Sequence, residues 1–98
     1  MTDDPALLAD LRRRLSSGRG PDNRLDGEIH LALLDGAGPR EPWTASTDSA
    51  LYLLVRVGAD LPGVLGRVAA DVADRVGVEV VVTLPRALIA RGIEDIAA

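Results

Sequence analysis

The stretch from Leu61 to Val82, LPGVLGRVAADVADRVGVEVVV, decides the fold class, because its apolar residues satisfy two periods at once. Wound as a helix, Val64, Leu65, Val68, Ala69, Val72 and Val76 line one face at amphipathic spacing. Drawn out as strands, the even positions Val68, Ala70, Val72, Val76, Val78 and Val80 are apolar. The odd positions Arg67, Asp71, Arg75 and Glu79 are charged, which is a period of two. DRVG (74–77) has Asp first and Gly fourth, as a type I turn prefers. Propensity does not choose between the two patterns. VEVVV (78–82) reads as a strand in either case, because β-branched Val suits a pleated surface. The expectation is an α+β domain whose small antiparallel sheet covers about 64–82.

The rest of the chain reads as helices around that sheet, at about 5–16, 24–34, 47–56 and 84–97. Asp4 and Pro5 suit a helix start, and Leu7, Leu8, Leu11 and Leu15 fall on one face behind them. SSGRGPDN (16–23) ends that helix as a flexible connector. Leu25, Ile29, Ala32 and Leu33 mark the second helix, with Asp26 and Glu28 near its N-terminus and Gly36 as its stop. DGAGPREP (35–42) is a second loop. In PWTASTDSALYLL (42–54), Ser46 or Thr47 is the expected N-cap and Asp48 lies in the first turn. LYLLVRV (51–57) is also β-prone, so a strand competes there. At the C-terminus Thr83 caps, Pro85 sits in the first turn, and Leu88, Ile89, Ile93 and Ile96 form the buried stripe. Gly92 in mid-helix costs about 1 kcal/mol against Ala and points to a close packing contact. The 98 residues suit one domain, with 1–20 as an N-terminal helical extension and linker and 24–97 as the core.

Bulk properties exclude several classes. Every one of the 11 cations is Arg, and the formal net charge is −4, which argues against a nucleic-acid footprint. The cluster Arg12-Arg13-Arg14 reads as the solvated back of a helix. The chain has no Cys, so it has no disulfide framework, thiolate metal site or Cys nucleophile. No apolar run approaches the ~20 residues that span a bilayer, and MTDDPALLADL does not resemble a signal peptide. A cytoplasmic protein that does not engage membranes is expected.

No constellation points to catalysis. The one histidine, His30, has only Asp26 at i−4, too little for a metal site. Ser46, Ser49 and Asp48 lack a base and a nucleophile-elbow frame, so they read as a cap. The fragments GRG (18–20) and GAG (36–38) lack the spacing of a phosphate loop. Asp71 and Asp74 read as solvent-facing. The expectation is no enzyme, no metal and no cofactor. The sole Trp, Trp43, precedes a helix start and is placed to pack back on it; its alternative role is a partner hot spot.

Two family resemblances follow from quoted motifs. RLDGEIHLALL (24–34), PWTASTDSALYLL (42–54) and TLPRALIARGI (83–93) resemble, in order, the landmarks of the phage αβα-sandwich domain family. That resemblance implies a sandwich fold and a phage or prophage origin, and no site. The expected function is a non-catalytic accessory protein acting by protein–protein contact, inhibition of a host or defence component being one form. The partner would be another protein or a second copy, through Trp43, Tyr52 and the strand edge at Val78 and Val80. LYLLVRVGADLPGVLGRVAADVADRVGVEVVV (51–82) resembles an ACT domain, a small-molecule-sensing module. That resemblance implies an amino-acid ligand at Asp60, Pro62 and Gly63.

Overall fold

The computed structural model of the chain describes residues 1–97. It contains five helices, α1 Pro5–Ser17, α2 Asn23–Leu34, α3 Thr47–Val57, α4 Leu61–Val72 and α5 Val78–Ala97, and no strand among the described residues. The expected α+β sandwich is therefore replaced by an all-helical fold.

The correction has a local cause. Of the positions a strand would turn inward, Ala70, Val76 and Val78 are exposed. The buried pair is Val64 and Val68, four apart, with Val72 half-buried one turn on. That is the helical stripe of α4. The DRVG segment joins two helices instead of two strands, and its closing bond is not the expected one from Gly77 to Asp74 but runs from the Arg75 amide to the Val72 carbonyl at 3.0 Å, with Gly77 at φ +58°. A strand also needs a ladder partner, since unpaired backbone groups are costly. With 64–72 helical, VEVVV has none and becomes the first turns of α5. Tertiary context outweighs the modest β-propensity of Val. The competing strand at 51–57 is likewise absent, because those residues lie in α3.

Helix starts follow the capping chemistry of the sequence. Asp4 accepts from the Ala6 amide at 3.0 Å, Asp22 from the Leu25 amide at 3.0 Å, and Ser46 from the Ser49 amide at 3.1 Å. Each satisfies one of the orphan donors of a first turn. α2 ends where Gly36 as C′ places it: Asp35 is the C-cap, in the left-handed region at φ 54°, and Gly36 follows at φ 75°. Asp and Asn tolerate that conformation better than most side chains.

α5 is the central element and packs against α1, α3 and α4, while α2 packs on α1. Leu8, Leu11 and Leu15 of α1 join Leu25, Ile29, Leu53, Leu54, Leu88, Ile89 and Ile93 in one core. α1 thus rests on α5, not on a sheet. Pro85 lies inside α5, not in its first turn. An interior proline removes an N–H and crowds the preceding turn. Here the Val82 carbonyl in that turn accepts from the Gly20 amide at 3.2 Å, so the connector before α2 crosses at the interruption. Gly92 meets its expectation: a Cβ there would overlap the Leu54 side chain, so the missing methyl sets how closely α3 approaches α5.

Candidate functional site

Three surface features survive once the helices are assembled: an aromatic stack, a valine corner and an arginine-lined groove.

The stack is built on the loop before α3. Thr44 donates from its amide and its hydroxyl to Asp26 Oδ1, at 2.8 and 2.7 Å, and its hydroxyl accepts from the Asp22 amide at 2.8 Å. Asp26, in the first turn of α2, is 2% exposed, so this buried carboxylate is held by the Thr44 donors of the loop before α3. The arrangement pins Thr44 and drives its neighbour Trp43 into the core, where it is fully buried. Trp43 stacks on His30 with ring centroids 5.9 Å apart and meets Tyr52 at 6.2 Å. The Arg56 guanidinium lies 5.6 Å from the Tyr52 ring centroid, a cation–π contact on the outer face. Trp43 therefore offers no surface to a partner, whereas Tyr52 is half-exposed. His30 is buried beside Trp43, and its Nδ1 and the indole Nε1 have no partner among the described residues. Ser46 caps α3 and also bonds Ser49 at 3.1 Å, which accounts for the small polar run there.

The valine corner lies where α4 turns into α5. Val76 is 82%, Val78 74% and Val81 69% exposed. Val80 is half-buried. The expected contact residues Val78 and Val80 thus sit on a helix, with no strand edge to extend. Asp60, Pro62 and Gly63 form the entry to α4. The Asp60 side chain makes no capping bond, and its amide donates to Asp95 Oδ2 at 2.9 Å. Both resemblances place strands beside these residues, and neither set of strands is present.

The groove was not foreseen. It is bounded by the end of α1, the end of α4 and the middle of α5, with a volume of about 700 Å³. Arg12, Arg19, Arg75, Arg86 and Arg91 line it, against the carboxylates Asp71 and Glu94. Arg91 is bound to Asp71 through two bonds of 2.7 and 2.8 Å and to Glu94 at 2.9 Å. The Arg91 bonds hold the Asp71 carboxyl below its usual range. Asp71 is thus half-buried and paired, where the sequence reads it as solvent-facing. Arg86 is only 6% exposed. Its Nε donates to the Gly20 carbonyl at 2.9 Å and its Nη1 to the Arg14 and Leu15 carbonyls at 3.1 and 3.5 Å, closing the C-terminus of α1.

One signal for Arg86 is present in the sequence: 86, 89 and 93 share a helical face, so an arginine sits in the stripe of Ile89 and Ile93. The groove as a whole has no such signal, because its arginines come from three separated segments. No family model, curated protein or solved structure matches this chain.

Proposed function

We propose that the chain is a non-catalytic interaction domain that acts through protein–protein contact, with a second copy of itself as the partner. The valine corner carries this reading. A surface where the α4–α5 turn and the start of α5 bear Val76, Val78 and Val81 so exposed, rimmed by charge, has the composition of a contact patch. Its charges favour a two-fold pairing. Asp74 and Glu79 alternate with Arg75 along the same short segment, and Arg75 has no carboxylate partner among the described residues. An isologous interface needs self-complementarity of this kind, with Arg75 of one copy facing Asp74 of the other, since Glu79 is already paired with Arg19 in its own chain.

A non-catalytic role is supported by how the ionisable groups are used. His30 is stacked in the core, and the groove carboxylates are bonded to Arg91. Neither is poised as a free base. Host inhibition and amino-acid sensing rest on resemblances that imply a sheet, and no feature of the fold favours either.

Light scattering coupled to size-exclusion chromatography tests the reading. The expected outcome is a dimer mass at tens of micromolar or above, lost in Val78→Asp/Val81→Asp while the helical circular dichroism stays unchanged. A wild-type monomer across the concentration range would overturn it. So would a dimer indifferent to the double substitution.

A further inference from the structure

We propose that the arginine-lined groove is a binding site for a soluble phosphate-bearing small molecule. The chain is acidic overall at −4, yet this one concavity sets five arginines against two carboxylates. Arg19 is also paired with Glu79, so a local excess of two positive charges remains, and in a groove with low-dielectric walls it focuses potential on an anion.

The geometry is that of a built site. Arg86 lies at the groove wall almost wholly buried, fixed by backbone carbonyls through Nε and Nη1. Its Nη2 has no partner among the described residues. A guanidinium held this way presents its remaining donor without further ordering cost. Arg75 faces the same space from the α4 end with no carboxylate partner among the described residues, and Arg12 from α1 has only a 3.8 Å approach to Glu94. The Thr83 hydroxyl, also in the wall, is buried and has no partner among the described residues. Leu15, Ala87 and Ala90 supply an apolar surface beside these donors.

The chemistry selects phosphate over a simple carboxylate. Guanidinium forks match phosphate oxygens in pairs, and a surplus of two charges suits a doubly charged phosphate group. A volume near 700 Å³ lies within the range of small-molecule sites, so the phosphate would carry an organic body the size of a sugar or nucleoside. The site shares Arg75 with the charged rim of the valine corner, but Val76, Val78 and Val81 do not line it, and it does not depend on the dimer reading.

Isothermal titration calorimetry on the full chain at low salt, with pyrophosphate and glucose 6-phosphate as probes and citrate as the carboxylate comparator, tests the proposal. Saturable one-to-one binding to a phosphate probe is expected, weakening as salt screens the groove. Arg12→Ala/Arg75→Ala should lower affinity about tenfold or more, since charge-assisted hydrogen bonds contribute on that scale. Both positions are outside the core, so circular dichroism should be unchanged. Val78→Asp/Val81→Asp should leave binding as it is. No heat with either phosphate probe, equal or tighter binding of citrate, or affinity indifferent to the arginine substitutions would each overturn the site. Pelleting with phosphatidic-acid vesicles without binding of the soluble probes would overturn the soluble source.

Discussion

Helix α5 behaves as two helices joined at Pro85. From Pro85 to Ile93 its residues are mostly in the core, with Leu88, Ile89 and Ile93 at 1% exposure or less. From Val78 to Leu84 no residue is fully buried, and Val78 and Val81 stand out in solvent. The C-terminal half is helical because three other helices press on it. The N-terminal half is helical despite β-branched residues, because it continues a helix that is already formed and because no strand is available to pair with it. Propagation adds a hydrogen bond per residue at little entropic cost, whereas a lone strand gains none. The half that contributes least to the core is therefore the half left free for contact.

The difference can be tested by attacking each half. Ile89→Ala should cost the most, about 2–5 kcal/mol by chemical denaturation, from lost burial and the cavity left behind. A cost below 1 kcal/mol would remove the core role of the C-terminal half. Arg86→Met keeps the stem but removes the donors that close α1, and should cost roughly 2–3 kcal/mol through unsatisfied carbonyls. Its effect should be read as faster amide exchange at the end of α1. Gly92→Ala should destabilise by about 1 kcal/mol net, because overpacking against Leu54 exceeds the helix-propensity gain. Net stabilisation would mean that α3 can retreat.

A smaller effect concerns pH. Arg14 holds Glu28 at 2.5 and 2.8 Å, and Arg91 holds Asp71; both carboxyls lie below their ordinary values of 4.5 and 3.8 because of those bonds. A depressed folded pKa stabilises above the unfolded value and is lost as pH falls through the folded one. Stability should therefore fall as pH drops below about 4.5, less steeply in Arg91→Met. An acid limb identical in Arg91→Met and wild type would show that the Asp71 pair contributes nothing. Smallest of all, Val81→Ala should stabilise the monomer by roughly 0.5 kcal/mol, from helix propensity at an exposed site. A loss above 1 kcal/mol would show that the N-terminal half is packed in solution. Native-state hydrogen exchange sharpens the same contrast: amides at 80–84 should exchange well ahead of those at 88–93.

Much of the architecture was readable from local chemistry. Asp4, Pro5 and Ser46 announce their helix starts by side-chain capping, an interaction contained within a few residues. The stripes Leu8/Leu11/Leu15 and Leu88/Ile89/Ile93 announce their buried faces by spacing. Gly92 signals its close contact because a helix interior tolerates glycine only at a cost. Trp43 signals an anchor, as the largest side chain in a chain without Phe. These are short-range facts, and short-range facts are written in sequence.

What tertiary structure alone decided is the state of 64–82 and the location of the charged groove. A period of two and a period of 3.6 coincide over so short a stretch, and only packing against α5 separates them: Val64 and Val68 reach the core together as a helix, and no pairing strand exists to reward the alternative. The groove likewise depends on long-range geometry. Arg12 and Arg75 look like solvated surface, and Arg86 like a lone exception in an apolar stripe, until α1, α4 and α5 bring them to one wall. Electrostatic potential is a sum over positions in space, and a sequence orders its charges only along the chain.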